Sequence, residues 1–172
     1  MEWDEFEIKC LQATVAAIKK LLAENPEENF YAFSLYTDSS AMTVSLSANS
    51  EQQVNSILDS EENTSKENQD YYKWTTSEWA YEGVYPEFFT DISKSLRESP
   101  DRVNFSQFKK NLIQTLINTL KKVKHGELSL VLSTSVVFVS ITDDNESENI
   151  ENISAQSINN ESITCYFLAR YD

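Results

Sequence analysis

Val136-Val137-Phe138-Val139-Ser140-Ile141 carries a single polar residue among five apolar ones, four of them β-branched. A strand with one face in water alternates apolar and polar residues, and this run does not. It therefore predicts a strand covered on both faces and placed centrally in a sheet. Upstream, Phe105, Phe108, Leu112, Ile113, Leu116, Leu120 and Val123 recur every three or four residues. That spacing predicts a helix from Asn104 whose apolar stripe faces the same core, ended by Gly126. Downstream, residues 143–162 form a polar, acidic loop with a short helix around Ile150 to Ile158, and Ile163 to Tyr171 reads as the last strand.

Toward the N-terminus the same reasoning predicts a helix from Asp4. Asp4 is its cap, Glu7 reaches back to the cap, and Trp3 packs on Ile8, until Asn25-Pro26 stops the helix. Phe30 to Tyr36 and Thr43 to Asn49 have strand composition, joined by a hairpin connection over Thr37 to Ala41. Ser50 with Gln53 opens a short capped helix ending near Asp59. Residues 60–70 form a polar, acidic loop, after which Tyr71 to Gly83 is dense in aromatics and reads as a short strand and a turn. Pro86 then suits the first turn of a helix burying Phe88, Phe89, Ile92 and Leu96. Helices and strands do not alternate regularly, so the expected fold is α+β. It is a single domain over 1–172, a largely antiparallel sheet of about five strands covered by about four helices.

Composition narrows the chemistry. The chain holds 28 acidic and 14 basic residues, a net charge of −14 over 172 residues. Such a field opposes nucleic acid and anionic membranes and attracts basic protein surfaces. With two glycines, Gly83 and Gly126, the chain has no glycine-rich phosphate loop. The one histidine, His125, sits among Lys121, Lys122 and Lys124 at a predicted helix end, where the exposed carbonyls favour cations. Cys10 and Cys165 are read as reduced core thiols. Asp143, Asn145 and Ser147 have the first spacing of a calcium loop but lack its glycine and terminal glutamate, so no metal or cofactor is expected. No basic signal region opens the chain and its apolar stretches are too short to span a bilayer, which predicts a cytoplasmic protein.

Phe30 to Asp38, Ser47 to Ser50, Tyr72-Lys73-Trp74 with Glu78-Trp79, and Val139 to Asp144 followed by Ser154-Ala155 resemble a bacterial family designated domain of unknown function 4303. The resemblance covers most of the chain and implies a single α+β domain of this length. Glycine and proline are scarcer here than in the family, and the acidic stretches longer. The resemblance also implies a context, because small acidic proteins of such families are similar to immunity proteins encoded beside secreted toxins, many of them nucleases with basic clefts. The expected function is non-enzymatic binding and neutralisation of a basic toxin domain. Glu61, Glu62 and Glu67 in one segment and Asp143, Asp144, Glu146, Glu148 and Glu151 in the other would meet the partner, with Tyr72, Trp74 and Trp79 as aromatic anchors. The alternative is a small enzyme or ligand-binding domain whose pocket joins those aromatics to the Asp143-Asp144 loop. Composition sets no oligomeric state.

Overall fold

The computed structural model describes residues 1–63 and 65–171. Among these, the chain forms α1 (Trp3–Glu24), β1 (Phe30–Asp38), β2 (Ser45–Ser50), α2 (Glu51–Ser60), α3 (Lys66–Trp74), β3 (Tyr81–Val84), α4 (Thr90–Glu98), α5 (Phe105–His125), β4 (Val136–Thr142), α6 (Ser147–Ile158) and α7 (Glu161–Leu168). The fold is α+β, with one four-stranded sheet in the order β3-β2-β1-β4. β2 runs antiparallel to both β1 and β3, whereas β4 runs parallel to β1, pairing Ala32 with Val136 and Asp38 with Thr142.

Helices cover both faces. On one, Phe33 and Leu35 of β1 and Val137 and Val139 of β4 join Ile18 and Leu21 of α1, Leu96 of α4, and Leu112, Leu116 and Leu120 of α5. On the other, Ala32, Val136 and Phe138 pack with Trp74, Trp79, Ala155 and Phe167. Phe138 lies between the Trp79 and Phe167 rings, 5.8 and 4.7 Å from their centroids. Two-sided burial explains the unbroken apolar run of β4.

Its central placement is corrected, because β4 is an edge strand. Asn159 and Ser154 occupy the side where a neighbouring strand would sit. Asn159 accepts from the Val137 amide at 3.0 Å and donates to its carbonyl at 2.7 Å, while Ser154 accepts from the Val139 amide at 2.9 Å. Backbone groups that would otherwise be unpaired are thus satisfied by a helix.

The expected last strand is also corrected. Ile163 to Leu168 lies in α7, where Asn160 caps the helix by accepting from the Ile163 amide, and Ile163 and Phe167 pack four residues apart against the second core. Among the described residues, four strands and seven α-helices replace the expected five and four. In the aromatic block, Tyr71 to Trp74 is helical because Ser65 caps α3 through the Asn68 amide and Lys66 pairs with Asp70 one turn on. The strand begins only at Tyr81.

Smaller expectations divide. Ser50 caps α2 through the Gln53 amide, as its spacing predicts. At α1 the cap is Glu2 and not Asp4, and it makes no side-chain bond; Glu7 pairs with Lys122 and accepts from Asn118 of α5. Gly126 ends α5 for a steric reason: a Cβ there would stand 2.4 Å from the Lys122 carbonyl oxygen. Lys124, one of the cations at the end of α5, is buried and donates to the carbonyls of Leu132 and Ser135, closing the loop before β4. Cys10 is buried and Cys165 exposed, both as free thiols, so only the first is a core thiol. Burial, with Glu7 nearby, pushes the Cys10 thiol up to about 12. No described helix is long and apolar enough to cross a membrane.

Candidate functional site

The carboxyl end of β4 turns sharply into α6. Asp143 holds a left-handed backbone, φ 56°, and the Asp144 carboxylate accepts from the Glu146 amide, directing the chain into the first turn of α6. This turn forms one rim of a cleft of about 550 Å³. Trp74 and Tyr171 supply its rings, Thr76, Ser77, Ser140, Thr142 and Ser147 its hydroxyls, and Asp143, Glu148 and Glu151 its carboxylates. A second recess, of about 490 Å³, is lined by Lys66, Glu67, Asp70 and again Tyr171. The Tyr171 ring is half-exposed and common to both. The two acidic segments, more than seventy residues apart in sequence, therefore meet on either side of one tyrosine.

The expected site residues fall into two groups. Glu62, Glu67, Asp143, Glu146 and Glu148 are exposed. Asp144 and Glu151 are not free surface charges. Asp144 is ion-paired with Lys109 of α5, and that ammonium with the Glu146 amide holds its carboxyl below the usual range. Glu151 faces the interior: one oxygen accepts from Ser140 and Ser147, and the other pairs with Arg170 at 3.1 Å. Burial raises the Glu151 carboxyl above its ordinary value, against the lowering pull of Arg170 and the two hydroxyls. Arg170 is itself buried, donates to Asn152, and lies over the Phe167 and Tyr171 rings. Glu61 sits between the groups, half-buried and accepting from the Tyr72 hydroxyl.

The expected aromatic anchors separate in the same way. Trp74 and Trp79 are 3% exposed and belong to the second core, and the Trp79 indole donates to the Lys73 carbonyl. Tyr72 stays at the surface beside Tyr71, whose hydroxyl donates to Glu78. Glu78 and Glu61, as hydrogen-bond acceptors and nearby charges, raise the two phenols above their ordinary values. The pocket imagined from Tyr72, Trp74, Trp79 and the Asp143-Asp144 loop is only half assembled, since Trp74 and Asp143 share the cleft while Tyr72, Trp79 and Asp144 do not line it.

Asp70 and Tyr171 were not singled out from sequence. Asp70 had a signal, its position one helical turn from both Lys66 and Glu67. Tyr171 had none, because its place depends on α7 folding back against β4. Lys121 and Lys122 remain on α5, and His125 ends that helix as expected, its ring nitrogen 3.1 Å from the Ile158 carbonyl oxygen. Among the described residues, no three histidine, cysteine or carboxylate side chains gather as metal ligands do.

No curated protein and no solved structure matches this chain. Residues 11–160 match the family profile described as a domain of unknown function, DUF4303. The match spans well over half of the 172 residues, and the chain belongs to that family.

Proposed function

We propose that this is a non-enzymatic, cytoplasmic interaction protein that binds and neutralises a basic protein, a toxin domain encoded beside it. The observation that carries the reading is the convergence of both acidic segments on Tyr171. Glu67 and Asp70 stand on one side of that ring, Asp143 and Glu148 on the other. An exposed ring framed by carboxylates suits a basic partner, because the ring supplies contact area at low entropic cost and the carboxylates steer the approach. Tyr71 and Tyr72 extend the aromatic content of the α3 surface.

Within this reading the carboxylates divide their work. Asp144 and Glu151 are neutralised by Lys109 and Arg170 and hold the α6 turn in place. The exposed Glu67, Asp143 and Glu148 leave the surface field negative. A nuclease with a basic phosphate cleft is the partner class that such a field fits best, and blocking that cleft needs no chemistry from the inhibitor.

The test is charge reversal on each side of Tyr171. Glu67→Lys with Asp70→Lys in one variant, and Glu148→Lys in another, are each expected to weaken binding to the co-encoded toxin domain by about tenfold or more and to flatten its salt dependence. Calorimetry at low and high salt reads both quantities. Unchanged affinity in both variants contradicts the proposal.

A further inference from the structure

The outer side of β4 is sealed by side chains. Residues 137 and 139 present their amide and carbonyl groups away from β1, and these are the groups that Asn159 and Ser154 engage. The spacing fits: two residues of a parallel strand advance about 6.6 Å, and the four helical steps from Ser154 to Ile158 advance about 6 Å before Asn159, the extended residue that ends α6. Ser154 and Asn159 therefore stand in register with Val139 and Val137, as alternate residues of a fifth strand would. Ser154 accepts from the Val139 amide at 2.9 Å, and its one hydroxyl proton is shared between the Glu151 carbonyl at 3.0 Å and the Val139 carbonyl at 3.3 Å.

The strand behind the seal is prone to pairing. Val136 to Thr142 contains no charge, glycine or proline, and four of its seven residues are valine or isoleucine. An open edge of this composition is a template for another strand. The opposite edge is blunted differently: β3 has only four residues, including the exposed Glu82 and Gly83 at φ 60°.

We infer that Ser154 and Asn159 act as a side-chain surrogate for a fifth strand and keep β4 from pairing with β4 of a second copy of this chain. A second copy is the natural occupant, because two identical edges related by a two-fold axis form an antiparallel, self-complementary pair. The net charge of −14 works in the same direction as the seal, since two copies repel. Salt screens that repulsion, so association through β4 strengthens as salt rises, opposite to the capture of a basic partner.

The experiment compares Ser154→Ala/Asn159→Ala with the parent protein by light scattering over a concentration series at low and high salt. The double variant is expected to dimerise at least about tenfold more tightly than the parent. The gain should be larger at high salt and accompanied by an infrared band of intermolecular antiparallel strands. Leu21→Ala, which opens a cavity on the α1 side of the core and leaves Ser154 and Asn159 in place, serves as the stability control and should show no gain. If the double variant does not fold, Asn159→Asp answers the same question, since it keeps the acceptor for the Val137 amide and loses the donor to its carbonyl; an intermediate gain is expected. No gain in association, or an equal gain in the Leu21→Ala control, overturns the inference.

Discussion

Replacing Glu151 by alanine is expected to destabilise the protein by about 3–5 kcal/mol, the cost of leaving a buried cation without its partner. Arg170 is only 3% exposed and its nearest carboxylate is Glu151. Remove that carboxylate and the guanidinium keeps its bonds to Asn152 and the Phe167 carbonyl but loses its counter-charge. The hydroxyls of Ser140 and Ser147 lose their acceptor as well. Denaturation in urea measures the loss. Glu151→Met combined with Arg170→Met should recover a large part of it, because neither charge is then buried. A loss below about 1 kcal/mol in Glu151→Ala, the range of an exposed pair, would show that the contact does not hold α6 and α7 to the sheet.

A second large effect is expected at Lys124, whose ammonium is buried with two carbonyls and, among the described residues, no carboxylate beside it. Burial lowers its pKa from 10.5 to about 8. Between those values the unfolded chain holds the proton and the native amine does not. Stability therefore rises with pH in that window, by at most about 1.4 kcal/mol per pH unit. Cys10 acts in the opposite sense above its unfolded value of 9.0, because the native thiol keeps its proton up to about 12 while the unfolded one ionises, so stability then falls. The Lys124 contribution thus stands clear between about pH 8 and 9. Lys124→Met should abolish that upward slope. It should also lower stability at pH 9 by about 2–4 kcal/mol, since the carbonyls of Leu132 and Ser135 lose their donor, with a smaller loss at pH 7, where the substitution also removes a buried charge. Urea midpoints across pH 7 to 9 read both effects, and an unchanged slope in the variant contradicts this account of Lys124.

Local signals in the sequence carried as far as local physics decides structure. The stripe of α5 and the Ser50 cap of α2 depend on residues three and four apart: Phe108, Leu112, Leu116, Leu120 and Val123 are buried and Ser50 caps α2 as read, while Phe105, at the start of the stripe, is exposed. β4 misled because an unbroken apolar run reports coverage of both faces and says nothing of a third side. That side is closed by Asn159 and Ser154, twenty-two and fifteen residues further on. Residues 163–171 misled because Ile163, Phe167 and Leu168 fit either period over so short a span, and the Asn160 cap decided between them.

The site shows the same division. Clusters of acidic residues are visible in composition, but which of them remain available is not. Asp144 is taken by Lys109, thirty-five residues away, and Glu151 by Arg170, nineteen away. Trp74 and Trp79 looked like anchors because aromatic density is equally a mark of cores and of interfaces, and here it builds a core. Thr64, within the first acidic stretch, lies outside the described residues.

The most direct test of the central claim is a footprint. Amide hydrogen exchange should be measured on this chain alone and with the toxin domain encoded beside it. Slowed exchange in residues 66–74, in the turn over 143–150 and around Tyr171, in the same complex, is the predicted result, with the groove between α1 and α4, lined by Lys9, Gln12, Ala16, Asp91 and Ser95, unchanged. Protection confined to that groove, with neither acidic segment affected, would contradict the claim that the two segments form one binding face.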